Sequence, residues 1–210
     1  MMAKFSYNVL LILASPFIVL RLLWRTLKDP YYRNKWSERF GFFHTPAMNS
    51  CLWIHAVSLG EAIAATPLIK RIHQHYPNRM IVITTTTPTG AAWINKQFKT
   101  TATHAYLPYD YPWTMKRFFT HFNPTIGIIM ETELWPNTLA LAQARQIPMI
   151  LANARLSPKS LARYQRIPEL TKNMLSQLQH VLIQSGNIAQ RFFDLGLDKD
   201  NATIAGNLKF

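Results

Sequence analysis

One cysteine, Cys51, is all that the 210 residues contain, so no internal disulfide framework can form, and a reducing compartment is the natural setting. Acidic residues are scarce as well: 10 Asp and Glu stand against 23 Lys and Arg, a formal charge of +13. That imbalance implies an anionic partner, whether nucleic acid, a phosphorylated ligand or an anionic membrane surface. Both G-x-G-x-x-G and the P-loop pattern are missing, and Ser58 lacks the G-x-S-x-G elbow, so neither a nucleotide fingerprint nor a hydrolase triad is signalled. His73 and His75 lie two apart on a candidate helix and face different ways, which excludes the i, i+4 metal pair. The 6 Trp are scattered instead of clustering with basic residues as a base-stacking platform requires. Nucleic acid is disfavoured.

The amino terminus narrows the choice of anion. Residues 5–20, FSYNVLLILASPFIVL, carry no charge, and Arg21, Arg25, Lys28, Arg33, Lys35 and Arg39 follow with only Lys4 ahead. A cleaved signal peptide carries its positive charge before the apolar run, not after it. Residues 1–28 therefore read as a retained membrane anchor with the body of the protein on the cytoplasmic side. The uncharged run is at the short end of the roughly 17 to 25 residues a span needs, so the helix either crosses the bilayer or lies in its surface, kinked at Pro16. A buried core helix is the bland alternative. Residues 29–50 read as a basic connector.

From Cys51 onward short apolar runs alternate with helical periodicity. Strands are expected at 52–57, 80–85, 104–107, 125–130, 148–152, 180–184 and 202–205, and helices at 61–75, 89–99, 112–122, 136–146, 158–178 and 186–195. Such alternation specifies a parallel sheet covered on both faces, a Rossmann-like α/β domain over residues 51–210.

In such a sheet ligands bind at the carboxyl rim, which here carries Ser58, Gly60 and Glu61; Thr86 and Thr87; Asp110; Glu131 and Glu133; Asn153 and Arg155; and Gln184 and Ser185. Carboxylates and hydroxyls in one crevice suit a sugar or other polyol, with one carboxylate as general base. Glu61, at the junction of the first strand and its helix, is the candidate base; the bland alternative is a first-turn residue complementing the helix dipole. Glu131 and Glu133, two apart, point the same way if the segment is extended, and so raise one pKa. Alternatively Glu131 bonds loop N–H groups while Glu133 caps the next helix.

Seven stretches, RNKWSERFGF, HAVSLGEAIAATPLI, TTTTPTG, YLPYD, IIMETELWPN, IPMILANARLS and GNLKF, together resemble the amino-terminal half of the bacterial transferases of 3-deoxy-D-manno-octulosonic acid (Kdo). The resemblance implies the amino-terminal domain of a two-domain GT-B glycosyltransferase, inverting, metal-independent and without cofactor. It would move Kdo from CMP-Kdo to lipid IVA in lipopolysaccharide synthesis, at the cytoplasmic face of the inner membrane. By position it implies Glu61 as base, with Leu59 replacing the usual Val of S-V-G-E, and Glu131 and Lys209 stabilising the transition state. Ser58, Gly60, Thr87, Asn153 and Arg155 are then expected to bind the acceptor. Family members continue into a donor domain, so the expectation is an acceptor half, truncated or split, whose carboxyl-terminal donor domain is absent from these residues. A non-catalytic module for anionic lipid, or an inactive fragment, is the competing expectation.

Overall fold

The computed structural model describes residues 2–33 and 35–208; Lys209 lies outside the described residues. An amino-terminal helix α1 (Met2–Lys28) precedes two 3-10 turns (Pro30–Arg33 and Trp36–Phe40). The sheet strands are β1 (Cys51–His55), β2 (Ile81–Thr85), β3 (Thr103–Tyr106), β4 (Pro124–Met130), β5 (Met149–Ala154), β6 (His180–Ile183) and β7 (Ala202–Ile204). Between them run α2 (Leu59–His75), α3 (Pro88–Phe98), α4 (Pro112–Phe122), α5 (Pro136–Ala144), α6 (Pro158–Tyr164), α7 (Pro168–Ser176) and α8 (Gly186–Asp194). Every strand pair is parallel and the order is β3-β2-β1-β4-β5-β6-β7.

Strand alternation divides the core. Trp53 points to one face, where it meets the Phe118 ring at a centroid distance of 4.9 Å and packs with Phe119 and Phe122 of α4. Its neighbour Ile54 points to the other, among Ala62, Ala65 and Ile69 of α2 and Ile94 of α3. Both faces are buried, so β1 and β2 read as nearly continuous apolar runs instead of alternating ones.

Five helices open with proline at a first-turn position: Pro88, Pro112, Pro136, Pro158 and Pro168. Proline's missing N–H is harmless there and its fixed φ is already helical. Pro168 also corrects the single helix expected over 158–178. A proline inside that helix could not bond back and would strike the preceding turn, and it forces Ile167 to φ −130°, so α6 ends and α7 begins afresh.

The segment between α1 and β1 is less exposed than a connector suggests. Glu38 and Arg39 are buried, and Glu38 accepts a hydrogen bond from the Tyr106 N–H at 2.8 Å. Helix α1, about 40 Å long at 1.5 Å per residue, lies along the domain. Tyr7, Asn8, Leu11, Ser15, Ile18 and Leu22 recur at helical spacing on the inward side, while Phe5, Leu13, Phe17, Leu20 and Leu27 are 60–85% exposed on the other. The inward side mixes polar Tyr7, Asn8 and Ser15 with apolar Leu11, Ile18 and Leu22, while the outward side carries large exposed apolar residues.

Candidate active site

Strand order reverses at β1, whose neighbours are β2 on one side and β4 on the other. The two halves of the sheet run outward from there, which leaves a crevice at the carboxyl ends of β1 and β4. The chain leaving β1 supplies Ser58, Gly60 and Glu61, and the chain leaving β4 supplies Glu131.

Glu61 is locked by reciprocal capping. Ser58, extended at φ −118° and ψ 170°, is the N-cap of α2, and its Oγ accepts from the Glu61 N–H at 3.5 Å. In return Glu61 Oε1 accepts the Ser58 hydroxyl at 3.1 Å and Oε2 accepts the Val57 N–H at 2.9 Å. The S-x-x-E pattern in S-L-G-E is the sequence signal for such a box, and Glu61 does lie in the first turn of α2. The carboxyl nevertheless has an unusual affinity for its proton. Burial pushes its pKa up to about 7, the charges of Glu133 and Glu131 add to the rise, and the Val57 and Ser58 donors offset part of it. A carboxylate poised near neutrality is suited to general-base chemistry.

The neighbouring loops are knitted to that turn. Thr86 and Thr87 hydroxyls both donate to the Val57 carbonyl, at 3.2 and 3.4 Å, and Thr87 caps α3 through the Gly90 N–H at 3.2 Å. A Cβ on Gly90 would sit 3.1 Å from Thr87 Oγ1 and 3.4 Å from the Ser58 carbonyl carbon, so glycine is what allows the two helix starts to abut. Gly60 differs: a Cβ there would meet only Ser58 Oγ at 3.9 Å, so packing leaves room at that position, on the exposed first turn beside Glu61.

Across the crevice Glu131 adopts a left-handed backbone, φ +60°, and so does Asn153 in β5, φ +55°. Such conformations cost a side-chain-bearing residue about 1 kcal/mol or more and gather at functional sites. The turn at Glu131 removes the premise that residues 131–133 are extended, so Glu131 and Glu133 do not follow strand alternation. Glu131 Oε2 instead pairs with Arg155 Nε at 2.9 Å, and the Thr132 hydroxyl donates to the Arg155 carbonyl. Burial raises the Glu133 pKa, with the Glu131 charge adding to it.

Asn153 is 2% exposed, and its Oδ1 accepts the Leu208 N–H at 3.1 Å. Its side chain thus ties down the segment that leads to Lys209. Gln184 donates to the Asn153 carbonyl at 3.0 Å.

Asp110 is no rim ligand. Its Oδ1 accepts from the Thr138 N–H and hydroxyl at 2.8 and 2.6 Å, and its Oδ2 from the Asn137 N–H at 2.9 Å and the Tyr7 hydroxyl at 3.1 Å. It caps α5 and anchors α1. Arg39, read from sequence as one cation of a basic connector, is 4% exposed beneath the rim and donates through Nη2 to the Thr86 carbonyl at 3.0 Å. No local pattern distinguishes it from Arg33; only the fold of residues 36–40 against β3 does.

Solved structures with this fold include a UDP-N-acetylglucosamine 2-epimerase, 16% identical with a TM-score of 0.53 over 75% of this chain and 48% of that one. Another is the UDP-GlcNAc 2-epimerase of Neisseria meningitidis, 14% identical with a TM-score of 0.55 over 76% of this chain and 47% of that one. These place the chain in the Rossmann-like, GT-B-type class. The family follows from sequence: the profile of the 3-deoxy-D-manno-octulosonic-acid transferases (kdotransferase) matches residues 34–210, and the chain belongs to that family. A 3-deoxy-D-manno-octulosonic acid transferase of Haemophilus influenzae is 39% identical over 100% of this chain and 49% of its own length. A probable mitochondrial one of Arabidopsis thaliana is 40% identical over 75% of this chain and 36% of its own. The chain spans about half the length of the first of these and about a third of the second.

Proposed function

We propose that these residues form the acceptor half of a Kdo transferase, in which Glu61 takes the proton from a lipid IVA hydroxyl as that oxygen attacks the anomeric carbon of CMP-Kdo. A new C–O bond forms with inversion, the bond to the CMP phosphate breaks, and CMP leaves with its electron pair. The observation that carries this reading is Glu61 itself: a capped, buried carboxyl with a pKa of about 7, at the crevice where the strand order reverses. Ser58 holds Glu61 in place, Thr87 and Gly60 shape the acceptor side, and Arg155 orients Glu131. Asn153 positions the segment that carries Lys209, whose cation stabilises charge developing on the leaving phosphate. The transfer then needs neither metal nor cofactor. The donor is assigned to a second domain facing this rim.

The exposed apolar face of α1 supports a cytoplasmic-face enzyme lying on the inner membrane. A helix held along the domain by Tyr7, Asn8 and Ser15 presents its apolar side in the plane of the bilayer instead of spanning it, and the basic residues after Leu20 meet anionic headgroups.

The test is transfer from CMP-Kdo to lipid IVA, followed by acceptor mass, for the purified chain with and without a donor domain from a full-length relative. Product in the presence of the added domain, abolished by Glu61→Gln, is the expected result. Product that survives Glu61→Gln overturns the base assignment. Lipid IVA binding without product in either arm favours the non-catalytic lipid module, which the apolar face of α1 also fits.

A further inference from the structure

Between α1 and the sheet rim lies a groove of about 400 Å³, reaching from Leu11 and Ile18 on the helix to Val57 and Thr86 beside Glu61. Three guanidinium groups line it: Arg21 and Arg25 from α1, and Arg39 from below. Arg39 is the unusual one. Its side chain is buried, its guanidinium stacks over Tyr106 at 4.3 Å, and Nη2 is used by the Thr86 carbonyl, yet Nε has no partner. Among the described residues the ion pairs are Lys35 with Glu38 and Arg155 with Glu131, so none of the three groove arginines is neutralised. Asp110 is the one carboxylate lining the groove, and four hydrogen bonds already occupy it.

A buried cation without a counter-charge is costly and is relieved when an anion arrives. The fork geometry of guanidinium matches a phosphate oxygen pair better than any other common anion except carboxylate. Apolar side chains share the lining, Leu11, Ile18 and Leu22 from α1 with Leu107 and Trp135 from the domain. Cations and apolar side chains in one groove suit an amphiphile, with Arg39 at the buried end and Arg21 at the open one.

We propose that this groove binds a phosphate monoester carried by a lipid, with Arg39, Arg25 and Arg21 on the phosphate and the hydrocarbon leaving along Leu11 and Ile18. Resting on the transferase reading, the groove is where the acceptor's phosphate docks, and it sets the distance from the membrane at which a sugar hydroxyl meets Glu61.

The chain in neutral detergent is titrated with inorganic phosphate, with dihexanoyl phosphatidic acid and with dihexanoyl phosphatidylcholine. Affinity is read by calorimetry, and the arginine Nε–H signals by ¹⁵N-edited NMR. The expected result is a shift of the Arg39 Nε–H on adding phosphate or phosphatidic acid, tighter binding of the latter, and none of phosphatidylcholine. Arg39→Lys, and separately Arg21→Gln with Arg25→Gln on the open side of the helix, weaken phosphatidic acid roughly tenfold, about 1.4 kcal/mol. An unmoved Arg39 signal, or unaltered binding by the folded Arg21 and Arg25 double variant, overturns the site. Phosphate binding as tightly as phosphatidic acid overturns the lipid assignment. Loss of transfer in Glu61→Gln bears only on the catalytic reading, so the two proposals fail separately.

Discussion

The Tyr7 hydroxyl donates to the Asp110 carboxylate across 3.1 Å, joining residues 103 apart in sequence and fastening a helix with an apolar outer face to the carboxylate that caps α5. Asn8 and Ser15 continue the seam: the Asn137 amide donates to Asn8 Oδ1 at 2.6 Å, and the Ser15 and Tyr111 hydroxyls lie 2.6 Å apart. The polar residues Tyr7, Asn8 and Ser15 of α1 are therefore spent on the domain, and its exposed apolar face is left for something else.

Asp110→Ala strands the buried N–H groups of Asn137 and Thr138 and the Tyr7 hydroxyl at once. Unmet buried donors cost about 1 to 3 kcal/mol each before relaxation. A loss of roughly 3 kcal/mol in urea unfolding is expected, with α1 becoming open to protease. Tyr7→Phe, which leaves the α5 cap intact, should release α1 with a loss of about 1 kcal/mol or less. Equal losses in the two variants would refute the shared-anchor role.

Glu61 acts as a base only when ionised, so transfer should rise with pH along a limb centred near 7, the value to which burial pushes its carboxyl. The stability effect has the opposite sign. The folded chain holds this proton more tightly than the unfolded chain, whose carboxyl titrates near 4.5, so this group's contribution to stability falls as pH climbs from about 4.5 through about 7. Glu61→Gln should remove both dependences and slow transfer by about 10²- to 10⁴-fold. The paired readouts are the pH–rate profile and the pH dependence of unfolding.

At Glu131 backbone and side chain make opposite demands. Glycine takes φ +60° without strain, so Glu131→Gly should leave stability within about 1 kcal/mol of the parent or above it, while transfer drops through loss of the carboxylate that holds Arg155. Glu131→Ala, which keeps the strain, separates the two effects. Undiminished transfer in Glu131→Gly, measured beside thermal unfolding, would remove Glu131 from the site.

His55, 1% exposed, is held neutral: burial lowers its pKa from 6.5 to about 4, against a smaller opposing pull from the Thr84 carbonyl. Its stabilising contribution is complete above pH 6.5 and is lost as pH falls toward 4, because the unfolded chain takes up the proton first. At about 1.4 kcal/mol per pH unit, roughly 3 kcal/mol should go over that window. His55→Asn should flatten the slope of unfolding free energy against pH between 6.5 and 4 by close to one proton.

Sequence alone determined the class of fold and most of its parts. Seven apolar runs, separated by helices that open on prolines such as Pro88 and Pro136, suffice for a parallel sheet, because apolar patterning and φ restriction are local matters that each segment writes for itself. The S-x-x-E box at Ser58 and Glu61, and the apolar amino terminus with its trailing cations, are legible for the same reason. What only the tertiary structure decided are relations between distant segments. Strand order brings Glu131 opposite Glu61; neighbouring strands tie Asn153 to Leu208; and a carboxylate that reads as a ligand, Asp110, turns out to be consumed by Thr138, Asn137 and Tyr7. Arg39 carries the same lesson with the sign reversed. Charge and burial are independent quantities, and a cation's surroundings are set by residues that sequence does not place beside it.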